Sequence, residues 1–399
     1  MRLYEFEANR VLGKHRIPVA AAKLAATAAE AEAAAAEFAG PVTLKAQVLA
    51  PGLLRSGSVE TAANPAEARD KAAKLLQLDD GGRKPKGVLV QKAIEAAAEY
   101  SLAVTYDGTR KLPVMILSSM PGNVEDIADQ HPDRVVRRHF SALFPFSDYL
   151  AKELVSSLSI TGGELTRLTA VVARLARLFL DYDLTQANIS SLARLADGSF
   201  AAAGSYMDME VEGRARQGTL LAELGIVDDD TRAVREPTKF EMDGKKIDDD
   251  DPRGIVGPVV EFDGNIGLVI GAGGGSLTLT DAVIKAGGRP ANYAAIGGNP
   301  SVGKAVALTK LVLSKPGVEK IAVMSNVVSN TRADLVARGV IKGIKELGFE
   351  PADKIAIFRV PGAWEADAFK ILKKYGVDYC DRTVSISEAA KRAVEKIGG

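Results

Sequence analysis

One cysteine, Cys380, and three histidines stand among 399 residues. A lone thiol excludes a disulfide framework and a cysteine-based metal cluster. Long apolar runs are missing too: none approaches the ~20 residues that a membrane span needs. Charge of one sign is absent, because 51 basic residues offset 51 acidic ones and no basic block stands out. That argues against a nucleic-acid partner. The opening Met1-Arg2-Leu3-Tyr4-Glu5 carries an acid early and leads into no apolar signal core, so a cytoplasmic protein is expected. What remains is a hydrophobic share of 47% and a charged share of 26%. Such a balance suits a soluble globular chain, and the length calls for two or three domains.

The pattern along the chain changes once. Tyr4–Lys14 has Phe6, Val11 and Leu12 at near-helical spacing, and Gly13 and Pro18 break it. Ala20–Ala39 is rich in Ala and Glu and predicts a helix ended by Gly40-Pro41. Val42–Val48 and Gly87–Gln91 read as strands, and Ser101–Tyr106 with Leu112–Leu117 as a hairpin around Asp107-Gly108. Leu165–Leu180 predicts a long amphipathic helix. Lys239–Gly257, with its acidic run Asp248–Asp251, reads as a solvated linker without functional weight.

Beyond it come strand–loop–helix units. Ile266–Ile270, Lys320–Met324 and Lys354–Phe358 each lead into a loop and then a helix. Such alternation implies a parallel sheet with helices on both faces, whose ligands sit at the carboxyl ends of the strands. The loop Gly271-Ala272-Gly273-Gly274-Gly275-Ser276 opens a helix directly after a strand. Its amides suit phosphate or carboxylate; equally, it can be a tight turn that binds nothing.

Asp263-Gly264-Asn265-Ile266-Gly267, the glycine loop, Gly287-Gly288-Arg289-Pro290-Ala291-Asn292-Tyr293 and Gly297-Gly298 follow in this order. With Tyr4-Glu5, the Gly13-to-Pro18 break and Lys45 inside a strand, the chain resembles the β subunits of ADP-forming succinyl-CoA synthetase nearly end to end. The resemblance implies an α/β protein. An N-terminal ATP-grasp region would cover residues 1–238, a linker 239–257, and a flavodoxin-like parallel sheet (the CoA-ligase domain) 258–399. It implies a ligase subunit that joins a small carboxylic acid to CoA with ATP and Mg²⁺. It also implies an α-type partner that binds CoA and carries a phosphorylated histidine. His15, His131 and His139 all lie in the N-terminal half, so that histidine is expected on another chain.

Matched position by position, the nucleotide site departs from the family. Lys45 takes the place of the strand lysine that meets phosphate, Glu99 that of a carboxylate near the ribose, and Gln91 that of a glutamate at the adenine edge. The family's HAGGRGKAGG loop is here Leu49–Ser58, in which Gly52 and Arg55 remain as nucleotide contacts while Leu53 replaces an arginine. Pro51 removes a backbone donor. The Mg²⁺ positions hold Ser190 and Gly204, poor ligands for a hard cation, with Asp208 as a substitute candidate.

The acid loop NIFGGIVR becomes Ser325-Asn326-Val327-Val328-Ser329-Asn330-Thr331-Arg332. Asn265, Gly271, Ala272, Gly273, Ser329, Asn330 and Thr331 are therefore expected to line one polar pocket, for an acid larger or more polar than succinate. Trp364, in another strand-end loop, reads as packing or interface. Two other readings stay open: a scaffold subunit that binds no nucleotide, and ATP-independent thioester chemistry beside the α-type chain.

Overall fold

The β-branched runs Val42–Ala46 (β2) and Val88–Lys92 (β4) pair antiparallel at the centre of a four-stranded sheet in the computed structural model. That model describes residues 1–49, 57–78, 84–144, 146–227, 232 and 235–397. Ala22–Ala25 (β1) and Val59–Ala62 (β3) form the edges, giving the order β1-β4-β2-β3. Helices Ala28–Phe38 and Pro65–Leu75 bury Ala31, Ala35, Ala68, Ala72 and Leu75 in the core shared with Val42, Leu44, Val88 and Val90. The single helix expected over Ala20–Ala39 is thus a strand followed by a shorter helix. Thr27 caps that helix by accepting from the Glu30 amide at 3.2 Å. Pairing of Ala22–Ala25 with β4 outweighs alanine's helical preference there.

Ala98–Asp107 (β5), Leu112–Ser118 (β6), Val135–His139 (β7), Leu184–Arg194 (β8) and Phe200–Met209 (β9) make a second antiparallel sheet, in the order β7-β6-β5-β8-β9. The β5–β6 hairpin turns at Asp107, whose Oδ1 accepts the amides of Thr109 and Arg110 at 2.9 and 3.1 Å. The amphipathic helix runs over Gly162–Asp181 and buries Leu168, Val171, Val172, Leu175, Leu178 and Phe179 in that sheet's core.

These elements belong to a first unit, Met1–Glu236; Pro237–Gly399 forms a second. The second unit has the five-stranded order β10-β12-β11-β13-β14, from Ile255–Glu261 (β10), Ile266–Gly271 (β11), Asn292–Gly297 (β12), Lys320–Met324 (β13) and Ile355–Arg359 (β14). Only the edge strand β10 runs antiparallel. Alternate residues face opposite layers. Val269, Ile321 and Val323 share one core with the helices Val302–Ser314 and Ala333–Glu346. Leu268, Ile270, Ala322 and Met324 share another with Gly275–Lys285 and Ile386–Ile397. The doubly covered parallel sheet expected from the strand–loop–helix pattern is present.

The expected linker is not a linker. Lys239–Asp249 is a helix, capped by Thr238 and Glu241 in a reciprocal pair, and it leads into β10. A Cβ on Gly244 would stand 2.5 Å from Val259 Cγ2, so the helix lies directly on the edge strand. Its charged residues are spaced for i,i+4 pairs, Lys239–Asp243 at 2.5 Å and Lys245–Asp249 at 2.6 Å, while Phe240 turns inward. Among the described residues, no helix is long and apolar enough to cross a membrane.

Candidate functional site

In the first unit, Lys45 projects from β2 toward β9. Its ammonium donates to Glu5 Oε1 at 2.7 Å and to the Ala203 carbonyl. Glu5 opens the helix Glu5–Lys14 and its side chain is 3% exposed. Burial pushes its carboxyl pKa up, while Lys45 pulls it back down. Glu5 Oε2 finds no hydrogen-bond partner among the described residues. The single turn Tyr4-Glu5-Phe6-Glu7 holds a second buried pair: Glu7 accepts from both terminal nitrogens of Arg232 at 2.9 Å. Nothing in the local sequence marks Arg232, because the contact spans most of the unit.

Gln91 lies on β4 beside Thr43, almost wholly buried, and its Nε2 has no partner among the described residues. Glu99 is on the other sheet, on β5, where Ser191 Oγ donates to it at 3.5 Å. Gly52 and Arg55, with Leu53, lie outside the described residues. The two expected metal positions do come together: Ser190 on β8 faces Gly204 on β9 so closely that a Cβ on Gly204 would run into Ser190 Oγ. A side chain at 204 would require the serine hydroxyl to turn away.

Asp208 does not replace it. Four residues further along β9, roughly 13 Å away at strand rise, it binds the Met1 ammonium at 2.9 Å and accepts from Tyr206 Oη at 3.3 Å. Among the described residues, no three His, Cys, Asp or Glu side chains gather as a metal site. Lys45 is thus tied to Glu5, Ser190 lies on Gly204 and Asp208 is tied to the N-terminus, so among the described residues these positions supply fewer free charges for a metal-bound nucleotide than carboxylates would.

In the second unit, four loops meet at the carboxyl edge of the sheet. Gly271 ends β11, and a Cβ there would run into Ser325 Cβ at the end of β13; one on Gly275 would run into Asn326. One on Gly297 would approach Ala272 Cβ to 2.7 Å. Close loop packing therefore requires Gly271 and Gly297, while the Asn326 side chain reaches over Gly275, and Gly273 (φ +99°) and Gly274 face open space. Ser329 and Asn330 are exposed; Thr331 is buried and its Oγ1 accepts the Asn299 amide at 3.4 Å. Arg359, at the end of β14, is buried and donates to the Ser325 and Val384 carbonyls at 2.6 and 2.8 Å. Burial pulls its pKa down.

Asn265 is not part of this edge. It precedes β11, its amide donates to the Arg289 carbonyl at 2.9 Å, and the adjoining Ile266 is in register with Lys320 at the start of β13. Gly271 lies at the other end of the same strand, about 20 Å away at strand rise. A turn that hydrogen-bonds at the amino edge cannot fold back over a six-residue strand.

One group at the carboxyl edge escaped sequence reasoning. Trp364 caps the helix Glu365–Lys374 in the left-handed region, φ 62° and ψ 27°, and is 54% exposed. The Arg332 guanidinium stacks 3.9 Å from its ring centroid. Asp334, almost wholly buried, fixes that guanidinium through Nε at 3.0 Å and Nη2 at 2.9 Å. The two loops are joined by backbone bonds, Val328 amide to Pro361 carbonyl at 2.8 Å and Ala363 amide to Val328 carbonyl at 2.9 Å. A lone tryptophan beside Gly362 was the available signal; its stacking partner was not readable.

An ATP-grasp domain family model matches residues 2–194. The chain is similar over its whole length, and over the whole of the relative, to the β subunit of a GDP-forming succinate–CoA ligase from Thermus thermophilus, at 32% identity. It is 29% identical to an ADP-forming succinate–CoA ligase β subunit from Herpetosiphon aurantiacus, over 99% of each chain. Among solved structures, ATP citrate lyase from Methanothrix soehngenii, in complex with citrate and coenzyme A, shares the fold over 99% of each chain, with a TM-score of 0.71 at 16% identity. Alike from end to end to proteins of one kind, the chain belongs to the family of succinate–CoA ligase β subunits.

Proposed function

We propose that this chain is the β-type subunit of an ADP-forming carboxylate–CoA ligase, converting acid, CoA and ATP to acyl-CoA, ADP and phosphate, with an acid other than succinate. An α-type subunit would bind CoA and carry the phosphorylated histidine, since residues 237–399 contain no histidine. Within this chain the acid end would be the carboxyl-edge loop Ser329-Asn330-Thr331 beside Gly273 and Gly274. The observation that carries the reading is that Ser325 and Asn326, which open this donor-rich loop, pack against Gly271 and Gly275 of the glycine loop, while Ser329 and Asn330 further along it are exposed. Several neutral hydrogen bonds of about 1 kcal/mol net each would hold a carboxylate there.

The nucleotide end supports a second reading, a scaffold subunit that has lost Mg-ATP. Lys45 is neutralised by a buried carboxylate, and the metal positions hold a serine packed on a glycine. Each lost contact to charge costs on the order of 1–3 kcal/mol. Calorimetric titration with Mg-ATP, alongside acid-dependent ADP formation with the α-type subunit added, separates the two. The expected result is acid-dependent ADP release with Mg-ATP bound at least ~10-fold more weakly than by the ADP-forming Herpetosiphon relative. No heat with Mg-ATP and no ADP would leave only the scaffold.

A further inference from the structure

We infer that Trp364 and Arg332 select a monocarboxylate with a flat apolar body, an inference that rests on the acid-site reading above. Arg332 gives Nε and Nη2 to Asp334, and its Nη1 makes no hydrogen bond among the described residues. That nitrogen is held in place and can donate to a carboxylate, beside the exposed Ser329 and Asn330. The guanidinium covers one side of the indole, and 54% of Trp364 still faces solvent. An exposed indole pinned by a cation is a ready stacking wall.

The backbone argues the same way. A bulky residue in the left-handed region is strained, and surrounding structure must hold it there. Here the Gly362 amide donates to Glu365 Oε2 at 2.7 Å, and the Val328–Gly362 pairing fixes the loop on the strand side. Val327, on the joined loop, is 59% exposed and adds apolar surface. Arg359, the other guanidinium of these loops, is only 5% exposed and gives Nε and Nη1 to backbone carbonyls, whereas the Arg332 side chain is 36% exposed. One presented cation and one aromatic wall suit one carboxylate on an apolar body better than a dicarboxylate.

Trp364 is the chain's single tryptophan, so its emission reports on this position alone. Phenylacetate and succinate would be titrated into the full chain by fluorescence, and into the chain paired with its α-type subunit by calorimetry. Saturable quenching by phenylacetate is expected, with tighter binding than succinate. Trp364→Leu should weaken phenylacetate about 10-fold and leave succinate unchanged, and Trp364→Phe should restore most of the loss. Arg332→Lys, which keeps the charge but loses the planar stack, gives a second variant should Trp364→Leu fold poorly; it should weaken phenylacetate more than succinate. Succinate binding as tightly as phenylacetate, unmoved by any of these changes, overturns the selectivity and leaves the acid site standing. Absence of any fluorescence change in the full chain and of heat in the paired chain, with either acid, overturns the acid site itself and the inference with it.

Discussion

Lys45 and Glu5 form an ion pair inside the first unit. The ammonium is 13% exposed and its partner 3% exposed, so each group satisfies the other's charge inside the first unit. Lys45→Met would leave a buried carboxylate with neither cation nor, at Oε2, any hydrogen bond. Destabilisation by about 3–5 kcal/mol is expected in chemical denaturation. The loss should depend on pH with a definite sign. Burial holds the Glu5 pKa above its ordinary value, and removing Lys45 takes away the cause that lowers it. The folded variant then binds a proton that the unfolded chain has already released, so its stability rises as pH falls through the folded pKa toward the unfolded value near 4.5. The gap to the parent protein should narrow at pH 5 relative to pH 8. A gap that stays constant would show Glu5 to be solvated.

At the scale of elements, the helix Lys239–Asp249 is fastened from its last turn. Asp248 Oδ1 binds Lys304 Nζ at 2.8 Å, and that ammonium is fully buried on the helix Val302–Ser314, with the Gly254 carbonyl also 3.0 Å away. Asp251 accepts from Ser301 Oγ at the start of the same helix. Half of the acidic run therefore anchors the edge of the second unit. Asp248→Asn should destabilise that unit by roughly 2–3 kcal/mol, because a buried ammonium loses its counter-charge; the partly exposed position of Asp248 keeps the value below that of a fully enclosed pair. Lys304 holds the Asp248 pKa below its ordinary value. This contribution is complete above the unfolded carboxylate range near 3.8 and fades as pH falls through the depressed folded pKa. Thermal melts of parent and Asp248→Asn should therefore converge near pH 2 and separate by pH 6.

For the whole molecule, each unit owns its core. Residues 1–236 hold the clusters around Leu102, Leu117, Phe179 and Leu44, and residues 237–399 hold those around Val323, Phe358, Leu268 and Met324. A segment of this size with a doubly covered sheet is large enough to fold alone. Residues 237–399 expressed separately should unfold in one cooperative transition, and Asp248→Asn should lower its melting temperature as it does in the full chain. A broad, non-cooperative melt of the fragment would show that its core is incomplete.

Sequence by itself determined the family and the parallel sheet. Motifs such as Asp263–Gly267 and Gly287–Tyr293 are local and ordered, and strand–loop–helix periodicity repeats within short windows. It misjudged what depends on partners far along the chain. Lys239–Gly257 looks like a solvated linker until Gly244 packs on Val259 and Asp248 pairs with Lys304. Asn265 looks like a pocket residue until the six residues of β11 separate it from Gly271. Arg232 reaches Glu7 across 225 positions, and Arg332 reaches Trp364 only because β13 and β14 lie side by side. Periodicity and motif order are read within one stretch of chain; charge pairing, stacking and the end of a strand on which a loop emerges exist only once distant segments pack, and there tertiary structure decided.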